Sequence, residues 1–369
     1  TLFGPYQNGY YSNYFNGTSI SAGSSLSGTL GSAIGNSNFT LEGWVYHTTL
    51  YNYIDWFSIT RGTTGFNVGT DSSGIAVMYF NSARQITSAS GVMLTNVWQH
   101  FAFVRNGTTI TLYINGSSVV STTTTTNSNF TATSFYIGSL DNTQEYFPGY
   151  LSNLRLVIGT ALYTTTFTPS TTPLTAITNT VLLTCQSNRF LDNSTNNTSI
   201  TLTSSPQISN AIPFAPGSSY STYGSTYFDG NGDYLTIPGT TNLFSFAGSF
   251  TIEFWAYFTS NGTGNIFSMN LISGGPAVYI TTVRMLIQSS YATTDLLNVA
   301  GLSDVVNQWA HFAIVRSGTT LVLYRNGVQV VVTNTPVRRD GDGWLLEVQV
   351  VATDVKKAYF PKSKLVPGV

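Results

Sequence analysis

Two stretches of this chain repeat the same wording 211 residues apart (309 − 98), counted from Trp98 to Trp309. Residues 96–116 read NVWQHFAFVRNGTTITLYING, and residues 307–327 read NQWAHFAIVRSGTTLVLYRNG. The same spacing links His100 to His311, Arg105 to Arg316 and Tyr113 to Tyr324. In each stretch successive side chains fall into two alternating sets, the period of a pleated strand. Asn106-Gly107 and Asn115-Gly116 supply the positive-φ chemistry of tight turns. A second block keeps the register: NFTLEGWVY at 38–46 and SFTIEFWAY at 249–257, with Trp44 answering to Trp255. Long-period recurrence of hairpin wording marks a tandem array of one β-rich unit.

Composition agrees with an all-β chain of two domains. At 369 residues each unit can bury a substantial core. Charged residues make up only 8%, against about 25% in ordinary soluble proteins. Hydrophobic content is nevertheless 42%, so the low charge does not signal disorder. Ser, Thr, Asn, Gly and Tyr fill the polar share instead; Thr and Tyr suit half-buried pleated surfaces, and so few long charged side chains suit a particle or fibre component. Net charge is −1 and no basic run precedes the C-terminal region, so nucleic-acid binding is not expected. Cys185 is the single cysteine; it forms no internal disulfide and is expected as a small buried side chain. No apolar run reaches the ~18 residues of a membrane span, and no signal peptide is recognisable. The first residue is Thr1 rather than Met, so a processed chain or part of something longer is expected.

Along the chain, FGPYQNGYYSNYFNG at 3–17 matches FAPGSSYSTYGSTYFDG at 214–230 with a small length difference. The expected division is a first sandwich over 1–177, a second over 178–335, and a charged tail over 336–369. The almost pure Thr tract at 121–126 reads as an exposed strand edge, and FPGYLSNLRLVIGTALY at 147–163 as a closing strand pair. Residues 164–180, with Pro169 and Pro173, read as an extended connector. On this division LLTCQSNRFLDNSTNN opens the second unit, so the first lacks leading strands and the second lacks closing ones. Missing strands leave edges that proteins cover or pair. Either a neighbouring subunit or the strand-like LLEVQVV at 345–351 is expected to do so. In the tail, a hairpin turning at 340–343 is expected.

The blocks FTIEFW, W-x-H-F-A-x-V-R-x-G-T-T-x-x-L-Y-x-N-G and YFDGNGDYLTI resemble the laminin-G-type branch of the concanavalin A-like lectin/glucanase superfamily. LLTCQSNRFLDNSTNN resembles the leading strand and D-x-S-x-N turn of such a domain. The wording YLSNLRLVIGTALYTTTFTPSTTPLTAITNT between the units is similar to tandem domains in structural proteins of marine tailed phages, including cyanophages. VRRDGDGWLLEV in the tail is similar to the trimerising hairpin of phage fibritin, and reads more simply as an ordinary hairpin. The resemblance implies two tandem jelly-roll β-sandwiches. Phe39, Leu41 and Val45, and likewise Phe250, Ile252 and Phe254, would line a core face, with Glu42 and Glu253 on the opposite one.

Glucanase chemistry needs two carboxylates flanking the scissile bond, and no strand carries two at alternate positions. Glu42 and Glu253 stand alone, so a structural bond to a neighbouring strand is expected of them. His100 and His311 are expected as semi-buried strand residues, since no G-x-S-x-G elbow exists and three histidines over two units make no zinc site. No enzyme is expected. The resemblance keeps one cofactor open, calcium at a loop rim, with Asp71, Asp141, Asp229 and Asp233 as candidates; turn chemistry accounts for these equally. Carbohydrate binding asks for aromatic platforms on loops, and Tyr51, Tyr53, Trp56 and Tyr146 are the candidates if exposed. The abundant N-x-S/T sequons read as turns and polar strand faces.

The expected function is a non-enzymatic virion component on a tailed-phage surface: fibre, tail-associated or capsid-decorating. Host-surface glycan is its expected ligand, and copies of itself or other virion proteins, through open strand edges, its partners. Purely structural assembly, a secreted bacterial adhesin and a polysaccharide-degrading enzyme remain the alternatives.

Overall fold

The computed structural model describes residues 9–60, 64–80, 83–123, 128–214, 225–237, 249–260, 264–269, 277–281, 284–288, 295–300, 305–318, 320–333, 348–351 and 358–361. Every named element among them is a strand. The chain divides into a compact unit at Gln7–Gly217 and a second within Ser218–Val369.

The first unit is a sandwich of two antiparallel sheets. One runs Ser117–Thr123, Thr109–Ile114, Trp98–Asn106, Phe39–His47, Pro148–Ile158, Ser12–Asn16, Gln207–Ser209, with Thr180–Thr184 also on Pro148–Ile158. The other runs Thr201–Thr203, Ser25–Thr29, Ser134–Ile137, Ile54–Ile59, Phe66–Thr70, Ala76–Phe80, Ala83–Thr87. Phe39, Leu41 and Val45 face inward and are fully buried, as the alternation predicts. Aromatic contacts bridge the layers: Phe39 stacks on Phe66 at 5.5 Å and 14°, and Trp56 meets Phe101 at 4.9 Å. The Thr tract begins in Ser117–Thr123, a largely exposed edge strand.

The repeat survives at atomic detail. Asn115 and Gly116 take φ of 49° and 79°, and Asn326 and Gly327 take 51° and 79°. These are two-residue turns with both central residues at positive φ, the form that Asn-Gly favours. In each unit the Asn side chain reaches back to a strand backbone: Asn115 Oδ1 accepts from the His100 N–H at 2.9 Å, and Asn326 Oδ1 from the His311 N–H at 2.9 Å. The preceding turn is centred on Gly107-Thr108, one residue later than its wording suggests, because Asn106 still pairs with Thr109.

The boundary between units is corrected. Thr180–Thr184 pairs with Pro148–Ile158, Thr201–Thr203 with Ser25–Thr29, and Gln207–Ser209 with Ser12–Asn16. Residues 178–214 therefore complete the first sandwich rather than open the second. The D-x-S-x-N turn anchors them: Asp192 accepts from the Leu183, Ser194 and Thr198 amides at 2.9–3.0 Å. Cys185 is buried in this segment, and burial pushes its thiol pKa up.

The second unit carries two further antiparallel sheets of six strands each. Its core gathers Phe258, Phe312, Ile314, Leu321 and Leu323, with Phe250, Ile252 and Phe254 half-buried against it. Val348–Val351 pairs with both Tyr234–Ile237 and Gly264–Met269, so this part of the 345–351 segment fills a place inside a sheet. Ala358–Pro361 joins the other sheet, between Ser225–Phe228 and Phe250–Phe258. The turn expected at 340–343 lies outside the described residues.

After Pro148–Ile158 the first unit adds a strap over the outer face of its larger sheet. Tyr163 and Phe167 stack at 3.6 Å and 6°, and Phe167 packs on His100 and Tyr113 at 5.6 and 5.5 Å. The Phe167 N–H donates to the Gly116 carbonyl at 3.0 Å. A Cβ on Gly116 would sit 1.8 Å from the Phe167 carbonyl oxygen, whereas one on Gly327 meets nothing within 4 Å. Gly327→Ala should cost only the left-handed conformation, about 1 kcal/mol. Gly116→Ala must also displace the strap, adding ~1–3 kcal/mol. Equilibrium denaturation of both variants measures the difference; equal losses would mean the strap is not held there.

Candidate functional site

Four strands of the larger first-unit sheet place one aromatic residue each in a single cross-strand row. Tyr14 is paired with Tyr150, Tyr150 with Tyr46, and Tyr46 with Trp98. Alternation sends Phe15, Val45 and Gln99 to the other side, so the four rings share the outer face. Ring centroids lie 4.9 Å apart for Tyr14–Tyr150, 5.7 Å for Tyr46–Tyr150, 5.6 Å for Tyr46–Trp98 and 6.4 Å for Trp98–Tyr150. Three inter-strand steps of ~4.8 Å make the row roughly 14 Å long. All four residues are half-buried, so their neighbours hold the rings in place while part of each stays open. Burial, with Tyr14 and Tyr46 alongside, raises the Tyr150 pKa and keeps that hydroxyl protonated. Trp44 continues the aromatic surface one row on, edge-to-face with His100 at 5.2 Å and Phe214 at 5.9 Å.

Such a row offers apolar ring faces ringed by hydroxyl donors and acceptors. The second unit does not repeat it in the open: Tyr257 and Trp309, which answer to Tyr46 and Trp98, are buried.

The loop candidates for carbohydrate fare differently. Trp56 has no exposed surface; its Nε1–H donates to His47 Nε2 at 3.1 Å, and burial pushes the His47 pKa down to about 3. Tyr146 is also buried, its hydroxyl donating to the Asn142 carbonyl. Both are core residues and leave the carbohydrate set. Tyr51 is half-buried, donating to the Tyr146 carbonyl at 2.7 Å, and burial lifts its pKa to about 12. Tyr53, 50% exposed, alone of the four presents an open ring.

The calcium candidates serve their own turns. Asp71 Oδ1 accepts from the Ser73 and Ile75 amides at 2.9 and 3.1 Å. Asp141 accepts from the amide and hydroxyl of Thr143 and from Gln144. Asp233 accepts from the Asp229 amide, and Asp229 from that of Asn231. Among the described residues no three His, Cys, Asp or Glu groups converge. The donor sets are turn geometry and do not fit a calcium cage, which needs six to eight oxygens.

Glu42 has the structural role expected of it. It is fully buried beneath the strap. Arg155 Nε donates to its Oε1 at 2.9 Å, Tyr163 OH to Oε2 at 2.8 Å, and His100 Nε2 lies 3.3 Å from Oε2. Burial alone would raise its pKa, but His100 and Arg155 outweigh this and hold the carboxyl below its ordinary 4.5. Arg155 Nη1 also donates to the Thr175 carbonyl at 2.9 Å, tying the connector down. A carboxylate so enclosed reaches no glycosidic bond. Glu253 departs from the pattern: its side chain is 66% exposed, and its partner His311, at 3.6 Å, is 25% exposed.

Two antiparallel sheets packed face to face define a jelly-roll-type β-sandwich. The chain belongs to the concanavalin A-like lectin/glucanases superfamily, whose laminin-G-type family model matches residues 16–162 and 228–348. Among solved structures, it is similar to a Bacteroides ovatus protein at 15% identity over 57% of this chain, with a TM-score of 0.41. The match spans 62% of that protein's own chain. It is similar to a heptameric SAP-like pentraxin from Limulus polyphemus at 16% identity, covering 54% of this chain and 94% of that one, TM-score 0.42. Domains LG4-5 of the mouse laminin alpha1 chain match at 10% identity over 99% and 97% of the two chains, TM-score 0.35. Among curated protein sequences none matches significantly. No helix among the described residues is long and apolar enough to cross a membrane.

Proposed function

We propose that the chain is a non-enzymatic, lectin-type binding protein whose Tyr14–Tyr150–Tyr46–Trp98 row stacks against the sugar rings of an extended glycan. The row carries this reading. Pyranose C–H faces are apolar while their rims are hydroxylated, and an aromatic row with phenol groups at its margins complements both. Its ~14 Å length suits several consecutive sugar units. The rings are preorganised by one another and by the sheet, which lowers the ordering cost of binding. The absence of a carboxylate pair on any described strand favours binding over hydrolysis.

In this reading the protein is displayed on the surface of a tailed-phage virion and binds host-surface glycan, with copies or other virion proteins meeting its exposed edge strands. The low charge and the similarity of residues 150–180 to marine phage structural proteins support that setting. A glycan array probed with the full chain tests the reading: saturable binding to a subset of oligosaccharides is expected. No binding at any glycan by correctly assembled protein would leave assembly without glycan as the function.

A further inference from the structure

The strap site of the first unit has a counterpart in the second that stands open among the described residues. We propose that the outer face around Glu253, His311, Tyr324 and Gly327 is a docking site for an extended segment supplied in trans, bearing a tyrosine and a phenylalanine four residues apart.

The first unit shows the occupied form. Residues 161–167 lie across Glu42, His100, Ala102 and Tyr113, and all four are buried. Three contacts fix them: Tyr163 OH to the Glu42 carboxylate at 2.8 Å, the Phe167 ring on His100 and Tyr113, and the Phe167 N–H on the Gly116 carbonyl at 3.0 Å. Each of these contact residues recurs 211 positions on, as Glu253, His311, Ala313, Tyr324 and Gly327. Their backbone is already set for the segment. His311 and Asn326 make the bonds of His100 and Asn115, at 2.9 and 2.8 Å, and Gly327 repeats the φ of 79°.

What differs is cover. Glu253 is 66% exposed where Glu42 is buried, Tyr324 is half-exposed, and the space beside Gly327 that Phe167 fills beside Gly116 is empty to 4 Å. Glu253 leans on His311 at 3.6 Å, which leaves its carboxylate turned to the outer face, where Tyr163 meets Glu42. Among the described residues, geometry that a strap requires is therefore kept without a strap. The stated chemistry of the occupant follows from the template: a phenol to donate to Glu253, a ring to lie between His311 and Tyr324, and an N–H for the Gly327 carbonyl. Thr-rich, uncharged spacing between the rings, as in residues 164–166, keeps the segment extended.

The test is a fluorescein-labelled peptide of residues 159–170, GTALYTTTFTPS, titrated into the full chain and followed by anisotropy. Saturable binding is expected. Glu253→Ala in the protein, or Tyr163→Phe in the peptide, removes a charge-assisted bond and should weaken binding about tenfold or more. Phe167→Ala in the peptide should do at least as much. Glu253 is an exposed side chain, so its removal leaves the fold intact, and circular dichroism checks this. No saturable binding, whether because the face takes no peptide or because a second copy already closes it, would overturn the proposal. Binding unchanged by Glu253→Ala would overturn it too. Either result leaves the glycan row of the first unit untouched.

Discussion

Arg155→Met should destabilise the first unit by ~3–5 kcal/mol, the cost of stranding one member of a buried ion pair. Against a total of about 5–15 kcal/mol for a domain, this is a large share. Glu42 would keep only Tyr163 and His100, and the Thr175 carbonyl would lose its donor. Replacing both partners, as Glu42→Met with Arg155→Met, should recover much of the loss, because no charge is then left to desolvate. Hydrogen exchange at the Phe39–His47 amides reads the effect on this unit alone. The pH dependence carries the same signature. Since Glu42 is held below 4.5 in the folded chain, its contribution is complete above that pH and is lost as pH falls through the depressed value. Without Arg155 burial acts with less opposition, the folded pKa moves up, and acid unfolding begins at higher pH. An Arg155→Met chain with unchanged exchange and an unshifted acid limb would show that the pair adds nothing.

The repeat makes the fold legible, and its period also marks the boundary between the units. One period is 211 residues, and Gln7–Gly217 spans one period. Placing the boundary at 177 followed the wording of LLTCQSNRFLDNSTNN; strand pairing across more than a hundred residues, as between Thr201 and Ser27, leaves no local mark. The same limit hid the aromatic row. Period-two alternation tells which residues share a face, so Tyr46 and Trp98 could be separated from their inward neighbours. It does not tell that Tyr14 and Tyr150 arrive beside them, because register is a property of the folded sheet. Trp56 misled for a related reason. TLYNYIDWFS looks like a loop rich in rings, yet Ile54–Ile59 is a strand buried along its whole length, where alternation carries no inside–outside signal. For Glu42 the expected structural bond exists, but its partners Arg155 and Tyr163 come from the strand and strap that the second unit's wording lacks. This is why Glu253 repeats the residue without the burial.

Trp98→Ala should abolish most glycan binding while sparing the fold. Trp98 sits at one end of the row, packed on Tyr46 at 5.6 Å and Tyr150 at 6.4 Å, with part of its ring open. Removing an aromatic anchor from a binding surface typically costs about 2 kcal/mol or more, roughly thirtyfold in Kd. Stability should fall by only ~1 kcal/mol, since the side chain lies on the outer face and leaves no cavity between the sheets. Tyr150→Ala, which removes the ring shared by three neighbours, should lose at least as much affinity. Tyr53→Ala is the informative contrast, because Tyr53 is the one loop candidate with an open ring and it lies outside the row. Affinity for the best array glycan, measured by calorimetry on all three variants, distinguishes the two surfaces. Loss with Trp98→Ala and Tyr150→Ala but not Tyr53→Ala assigns the sugar to the sheet. The opposite pattern would return it to the loop, and the four-ring row would then be a packing surface for another protein.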